Sequence, residues 1–274
     1  MNVLIGADPE LFVKDAEGKL VSGHGMVEGD KKSPLKVRNG AVQVDGHALE
    51  FNIDPAANED EFVTNLNDVM AQLSEMIPGY TLHADPVAKF GKKYLASMPD
   101  EANELGCDPD YNAYTGEANP RPDGDVDFRT GGGHVHIGWT KDVDIEHPEH
   151  VEACQMLAKE LDYYLGIPSM FWDEEDGRRA MYGQAGAYRV KPYGVEYRSL
   201  SNKWLSDNAL ARYVDRQVRK AVANMANGTC LHTDYKNVAQ IAIDNNDRAL
   251  AQRIMEHLFP IVGADQDIPG VEHG

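Results

Sequence analysis

Four short segments place chemically active side chains two residues apart, the spacing that puts both on one face of a β-strand. They are Asp8 and Glu10 in "GADPELF", Glu50 and Asn52 in "ALEFNID", His134 and His136 in "GGHVHIG", and Glu196 and Arg198 in "GVEYRSL". Apolar residues alternate with them, such as Leu49 and Phe51, Val135 and Ile137, Val195 and Tyr197. Any antiparallel sheet with one wet face alternates in this way, and for one such strand that is the commoner meaning. A solvated face usually carries Thr, Lys, Ser and Gln, whereas these carry carboxylates, imidazoles and a guanidinium. Converging carboxylates repel unless a cation neutralises them. An oxygen-rich set with imidazole suits Mg²⁺, or Mn²⁺ and Zn²⁺, which tolerate histidine. The expectation is a metal-bearing face, provided that the strands are neighbours.

Gly131, Gly132 and Gly133 precede the histidine pair. They permit positive φ and close backbone approach, which leaves room for a nucleotide phosphate. A glycine run before a strand is more often a turn, and this one is neither a P-loop nor a GxGxxG that opens a helix. Arg178, Arg179, Arg189 and Lys191 fall within twenty residues of Glu196. Cations beside a carboxylate site are what phosphoryl transfer needs. "AYRVKPYGVEYR" reads as a hairpin that carries Arg189 into the Glu196 strand, while Arg178 and Arg179 read more readily as surface arginines on a loop.

The elements that must position these groups are legible in outline. "NVLIG" and "ELFVKD" read as strands, and "AVQVDGHALEFNI" as a hairpin turning at "DG". Residues 56 to 77 predict a helix, with Phe62, Leu66, Val69, Met70 and Leu73 on one face. "TLHADPVAKF" predicts one strand and "VDFRTGGGHVHIGW" another. Residues 97 to 125, rich in Asp, Asn, Pro and Gly, read as a long ordered loop. Further helices are expected over 148–165, over 205–226 with Gly228 as the stop, and in "DNNDRALAQRIMEHLF". A single α+β domain over residues 1–262, with a fraying tail over 263–274, is the simplest organisation.

The 274 residues carry a net charge of −19, which argues against sequence-neutral binding to a nucleic-acid backbone. Cys107, Cys154 and Cys230 are odd in number and form no CxxC pair, so a reducing, cytoplasmic setting is expected. "MNVLIGADPELFV" lacks the basic region and apolar run of a signal peptide, and no stretch is apolar enough for a membrane span.

Together, "IGADPELF", "LEFNIDPA", "GGGHVHIGW" and "YRVKPYGVEYRSL" resemble the phage-type carboxylate–amine ligases of the glutamine synthetase and glutamate–cysteine ligase superfamily. The resemblance spans roughly residues 4 to 205, with the motifs in the superfamily's order. It implies a curved, mostly antiparallel β-sheet with helices packed on one face, and ATP-dependent amide formation through an acyl phosphate. It implies ATP and Mg²⁺ (or Mn²⁺) as cofactors, and small-molecule or peptide carboxylates and amines as substrates. Asp8, Glu10, Glu50, His136 and Glu196 would then hold metal. Arg189 and Arg198 would steady the transferred phosphoryl group, with Glu196 part of the catalytic set. His134, Gly132 and Gly133 would lie against nucleotide phosphate, or His134 against the substrate carboxylate. The sequence does not choose between His134 and His136 as the ligand. Pro9 stands where the related ligases have a third acid, and Asp8 is shorter than their glutamate.

Two rivals come from other classes. The His-x-His also occurs in metal-dependent hydrolases and cupins, but a cupin would add a glutamate where Thr140 and Lys141 stand. A catalytically inactive ligase fold serving as a binding or structural protein is the other, and the intact set of acids speaks against it.

Overall fold

The computed structural model describes residues 3–103, 109–120 and 126–271. The chain opens with β1 (Leu4–Ala7), β2 (Glu10–Lys14), β3 (Leu20–Val21), β4 (Leu35–Val37), β5 (Gly40–Asp45) and β6 (Ala48–Ile53), then α1 (Glu59–Met76). Next come β7 (Thr81–His83), β8 (Val87–Lys89), α2 (Lys92–Leu95), α3 (Asp100–Asn103), β9 (Tyr111–Asn112), β10 (Phe128–Thr130) and β11 (Val135–Gly138). Helix α4 (Pro148–Leu161) passes through a π-helical turn, Asp162–Gly166, into α5 (Ile167–Trp172), and α6 (Asp176–Met181) follows. The hairpin of β12 (Ala187–Lys191) and β13 (Gly194–Tyr197) leads to α7 (Asn208–Ala226), α8 (Leu231–Tyr235), α9 (Val238–Asp244) and α10 (Arg248–Val262).

The fold is α+β, and the strand pairings among the described residues are antiparallel. The two large sheets have the orders β1-β11-β13-β12-β9 and β3-β2-β6-β5-β4, with β7 also on β2, and β10 and β8 form a separate two-stranded sheet. Together the two large sheets curl into a half-barrel. They meet at Asp8–Pro9. Proline has no amide hydrogen for a ladder and interrupts the strand. Before it, β1 pairs with β11; after it, β2 pairs with β6. Asp8 and Glu10 therefore do not share a single strand, as the sequence suggested, but stand on either side of a crossing.

Helices α1 and α4 cover the sheets, α1 on β5 and β6 and α4 on β12 and β13, with α7 against both helices. The predicted stripe of α1 is buried at Phe62, Leu66, Val69 and Leu73 and half-buried at Met70. Asn58 caps the helix, its Oδ1 accepting from the Glu61 amide at 3.0 Å, and Glu59, Asp60 and Glu61 oppose the positive end of the dipole. Val135, Ile137, Val195 and Tyr197 enter the same core, so the alternate residues on β11 and β13 point away from it.

Several elements differ from expectation. Asp85 and Pro86 split "TLHADPVAKF" into β7, which pairs with β2, and β8, which pairs with β10. The glycines likewise separate β10 from β11. The helix expected over 148–165 runs on to Trp172 through the π-helical turn, where Asp162 accepts from the Tyr114 and Tyr197 hydroxyls, each at 2.7 Å, and from the Gly186 amide at 3.0 Å. Helix α10 runs past Pro260 to Gly263, whose positive φ closes it. The segment after it lies on the core at Ile268, which is buried, while 272–274 fall outside the described residues. Among the described residues no helix is long and apolar enough to cross a membrane.

Candidate metal and phosphate site

Strand register builds the site. His136 on β11 lies opposite Glu196 on β13, and Glu196 lies opposite Arg189 on β12, so one row crosses three strands. On the second sheet, Glu10 lies opposite Glu50. Asp8, at the crossing, reaches the first row: its Oδ1 is 3.0 Å from His136 Nε2 and 3.3 Å from His134 Nδ1. Asp8, His136 and Glu196 each offer a ligand atom, all within 4.8 Å of one another. Asp8 Oδ1, His136 Nε2 and Glu196 Oε2 are buried without a hydrogen bond of acceptable geometry. The Lys191 ammonium is 2.7 Å from Glu196 Oε2 but lies off that geometry. Two carboxylates and an imidazole whose buried ligand atoms cluster this closely fit a divalent cation.

The two histidines differ. The Tyr193 hydroxyl, from the β12–β13 turn, bonds His136 Nδ1 and so presents Nε2 to Asp8. Burial pushes the His136 ring down, but Asp8 and Glu196 outweigh it and raise its pKa. His134 Nδ1 faces Arg198 Nη1 at 3.2 Å. Burial and the Arg198 charge hold its pKa at about 4, despite Asp8. It is thus a neutral ring that can accept from the guanidinium. His136 joins the candidate ligands, and His134 orients Arg198.

Cations ring Glu196: Arg198 is in direct contact, Lys191 is at 2.7 Å and Arg189 at 3.7 Å. Burial and Asp8 push the Glu196 carboxyl up, yet Arg198, His136 and His134 together hold it at about 2. Burial also opposes ionisation of Asp8, but the His136 and His134 interactions bring it well below the carboxylate range. The second sheet behaves in the opposite way. Burial and Asp45 raise Glu10 to about 7, although its Oε2 accepts from the Gly132 amide at 2.9 Å. Burial, Asp8, Asp45 and Glu10 put Glu50 well above its ordinary value. Converging acids that resist ionisation are stabilised by a cation placed among them.

A cavity of ≈ 740 Å³ opens over this face, lined by Asp8, Glu10, Glu50, His134, Arg189 and Arg198 among others. Described parts of the 97–125 segment border it. Asp110 Oδ2 accepts from Arg198 Nε at 3.3 Å, and Pro109 O accepts from Arg189 Nε at 3.3 Å. Residues 104–108, with Cys107, and 121–125 lie outside the described residues.

The glycines do something other than expected. None of the three has positive φ. A Cβ at Gly131 would fall 2.3 Å from Asn202 Nδ2, at Gly132 2.4 Å from His134 Nε2, and at Gly133 2.2 Å from Ser201 O. The close approach is to protein atoms. Gly132 does line the cavity, but its amide is taken by Glu10; Gly133 packs under Ser201 and Trp204.

Arg178 is also not the surface residue that was expected: it is 3% exposed and lines the cavity. Arg179 is half-buried and donates to Asn246 Oδ1 at 3.1 Å. Lys191 was legible, being two residues from Arg189 on the same face. Tyr193 and Arg129, which also border the site, carried no signal beyond their places in a turn and before the glycines.

The family model described as phage phiEco32-like COOH.NH2 ligase-type 2 matches residues 121–259. The chain belongs to this family. The matched region carries His134, His136, Arg178, Arg189, Glu196 and Arg198, whereas Asp8, Glu10 and Glu50 lie before it. No curated protein matches the chain. The carboxylate–amine ligase family thus accounts for β10 to β13, and the structure brings the earlier acids of the ligase onto the same cavity.

Proposed function

We propose that this ligase is ATP-dependent and ADP-forming, joins a carboxylate to an amine through an acyl phosphate, and is kin to the glutamine synthetase and glutamate–cysteine ligase superfamily in fold and mechanism. The observation that carries the reading is the Asp8–His136–Glu196 triad, its ligand atoms clustered within 4.8 Å, with the cations Arg189, Lys191 and Arg198 around it. A plain metal hydrolase needs no such cationic ring; a phosphoryl-transfer enzyme does.

Asp8, His136 and Glu196 would hold Mg²⁺ or Mn²⁺, with Glu10 and Glu50 available for a further ion. When bound, the metal supplies charge neutralisation between phosphate oxygens. Arg198 and Arg189 hold the transferring phosphoryl group against the substrate carboxylate. His134, neutral, keeps Arg198 in place by accepting its hydrogen bond. Lys191 and Tyr193 fix Glu196 and His136. The carboxylate oxygen attacks the γ-phosphorus, ADP leaves, and the amine then displaces phosphate from the acyl carbon. Pro109 and Asp110 close over the two arginines and limit access of water, which would hydrolyse the intermediate. The chain is read as one ligase domain over 1–262, working in the cytoplasm, of the host if phage-encoded.

The test is incubation with ATP, Mg²⁺ and pools of amino acids, amines and peptides, following ADP and new amides by mass spectrometry. ADP appearing together with an amide is expected. AMP and pyrophosphate instead would overturn the acyl-phosphate mechanism.

A further inference from the structure

Lys191 is held differently from the rest of the cationic ring. Arg198 is tied by Glu196, by Asp110 Oδ2 at 3.3 Å and by His134 Nδ1 at 3.2 Å, and Arg189 Nε donates to Pro109 O at 3.3 Å. The Lys191 ammonium is 2.7 Å from Glu196 Oε2 but outside hydrogen-bond geometry, so that buried oxygen has no directed donor. Charge alone holds this pair.

The backbone beneath the ammonium is fixed. Strand β12 pairs with β13, and the Lys191 carbonyl accepts from His150 Nε2 at 2.8 Å. The stem is less confined. Its cross-strand neighbour is Gly194, which sets no side chain beside it, and the side chain is 29% exposed on the cavity wall. Lysine carries its charge on a flexible four-carbon stem, so the ammonium can change partner while the strand stays still.

Glu196 Oε2 is also the oxygen left for a metal, because Oε1 is in contact with Arg198. An ammonium at 2.7 Å from that oxygen and a divalent ion bound to it would repel each other. The ammonium that gives way needs another anion. Lys191 lines the same cavity as Arg189 and Arg198, where the proposed reaction brings phosphate oxygens.

We infer that Lys191 is an exchangeable counter-ion: it holds Glu196 Oε2 in the metal-free protein and passes to a nucleotide phosphate when a divalent ion takes that carboxylate. The inference rests on the metal and nucleotide of the proposed function, but it concerns binding and needs no turnover. Its consequence is that metal and nucleotide enter as a coupled pair. The metal frees Lys191 for phosphate, and phosphate draws Lys191 off Glu196; linkage makes the coupling equal in both directions. Lys31 supplies the comparison. It lies 2.9 Å from Asp45 Oδ2 in the same cavity, on the side of the second sheet.

The experiment is Mn²⁺ titration followed by electron paramagnetic resonance, in wild type, Lys191→Met and Lys31→Met, with folding checked by circular dichroism. Coupling to the His136 ring nitrogen in pulsed spectra identifies the ion at the triad. Affinity for a non-hydrolysable ATP analogue is measured by calorimetry in saturating Mn²⁺. Coupling between two ligands is roughly 5- to 150-fold. Lys191→Met should therefore bind Mn²⁺ alone at least about fivefold tighter than the wild type, and the analogue at least about fivefold weaker. Lys31→Met removes the same charge from the same cavity and should shift either affinity by less than about twofold. Lys191→Gln repeats the measurement should Lys191→Met fail to fold. Equal shifts in the Lys191 and Lys31 variants overturn the exchange and leave only the loss of a charge. Mn²⁺ affinity that is unchanged or weaker in Lys191→Met also overturns it and makes Lys191 a fixed support of Glu196. Mn²⁺ bound by none of the proteins overturns it together with the metal reading. A protein that forms no ADP but shows the two opposed shifts loses the ligase reading and keeps the exchange.

Discussion

Replacing Glu196 by glutamine keeps the shape of a fully buried side chain and removes its charge. In the metal-free protein the folded carboxyl sits at about 2 against an ordinary 4.5, burial and Asp8 opposing ionisation and Arg198, His136 and His134 outweighing them. At about 1.36 kcal/mol per pKa unit, that gap is worth roughly 3 kcal/mol. Breaking a buried ion pair by removing one partner costs a similar ~3–5 kcal/mol. A folded pKa below the unfolded one contributes stability that is complete above the unfolded value and is lost as pH falls through the folded one. The penalty in Glu196→Gln should therefore be fully present near pH 6, where His136, its pKa raised, still carries charge, and should shrink as pH rises and that charge is lost. Urea unfolding in EDTA, followed by circular dichroism, measures it. A domain with ~5–15 kcal/mol in hand stays folded after such a loss. Turnover, by contrast, should fall below detection, because the glutamine amide does not replace an anionic ligand. A variant as stable as the wild type would refute the electrostatic account of the cationic ring, and near-normal turnover would remove Glu196 from the metal site.

Three further variants test the scaffold. Gly133→Ala would set a Cβ 2.2 Å from Ser201 O and 2.5 Å from Trp204 Nε1, so a loss of roughly 1–3 kcal/mol or more is expected in urea unfolding. Asp162, raised by burial to about 7 in the folded state, favours its neutral form, so its contribution to wild-type stability declines as pH rises from about 4 to 7. Asp162→Asn should consequently gain on the wild type between pH 5 and pH 8 in thermal melts, and a pH-independent difference would contradict the shift. Asp162→Ala, which strips acceptors from Tyr114, Tyr197 and Gly186, should destabilise by several kcal/mol, at about 1 kcal/mol or more per lost bond.

Local rules made much of this legible. The two-residue spacing placed His136 with Glu196's row, and the "DG" turn built the β5–β6 hairpin that carries Glu50. The apolar spacing of α1 was sufficient because packing on β5 and β6 follows it. What local rules miss is set by contacts distant in sequence. Pro9 read as one residue within a strand, and only the pairing of β1 with β11 and β2 with β6 shows that it moves the chain between sheets. Gly132 looked like a phosphate contact because flexibility and close packing leave the same residue. Arg178 read as solvated because a short polar helix gives no sign that its start will pack on β8. The buried acceptors of Asp162 are met by Tyr114 and Tyr197, 48 and 35 residues away.

The central claim is that the two sheets meet around one metal–nucleotide site. Its most direct test is Mn²⁺ binding followed by electron paramagnetic resonance, with and without a non-hydrolysable ATP analogue, in wild type and Asp8→Asn. The account predicts bound Mn²⁺ whose affinity rises with nucleotide and falls sharply in Asp8→Asn. No bound Mn²⁺ in the wild type, or binding undiminished in Asp8→Asn, would contradict it.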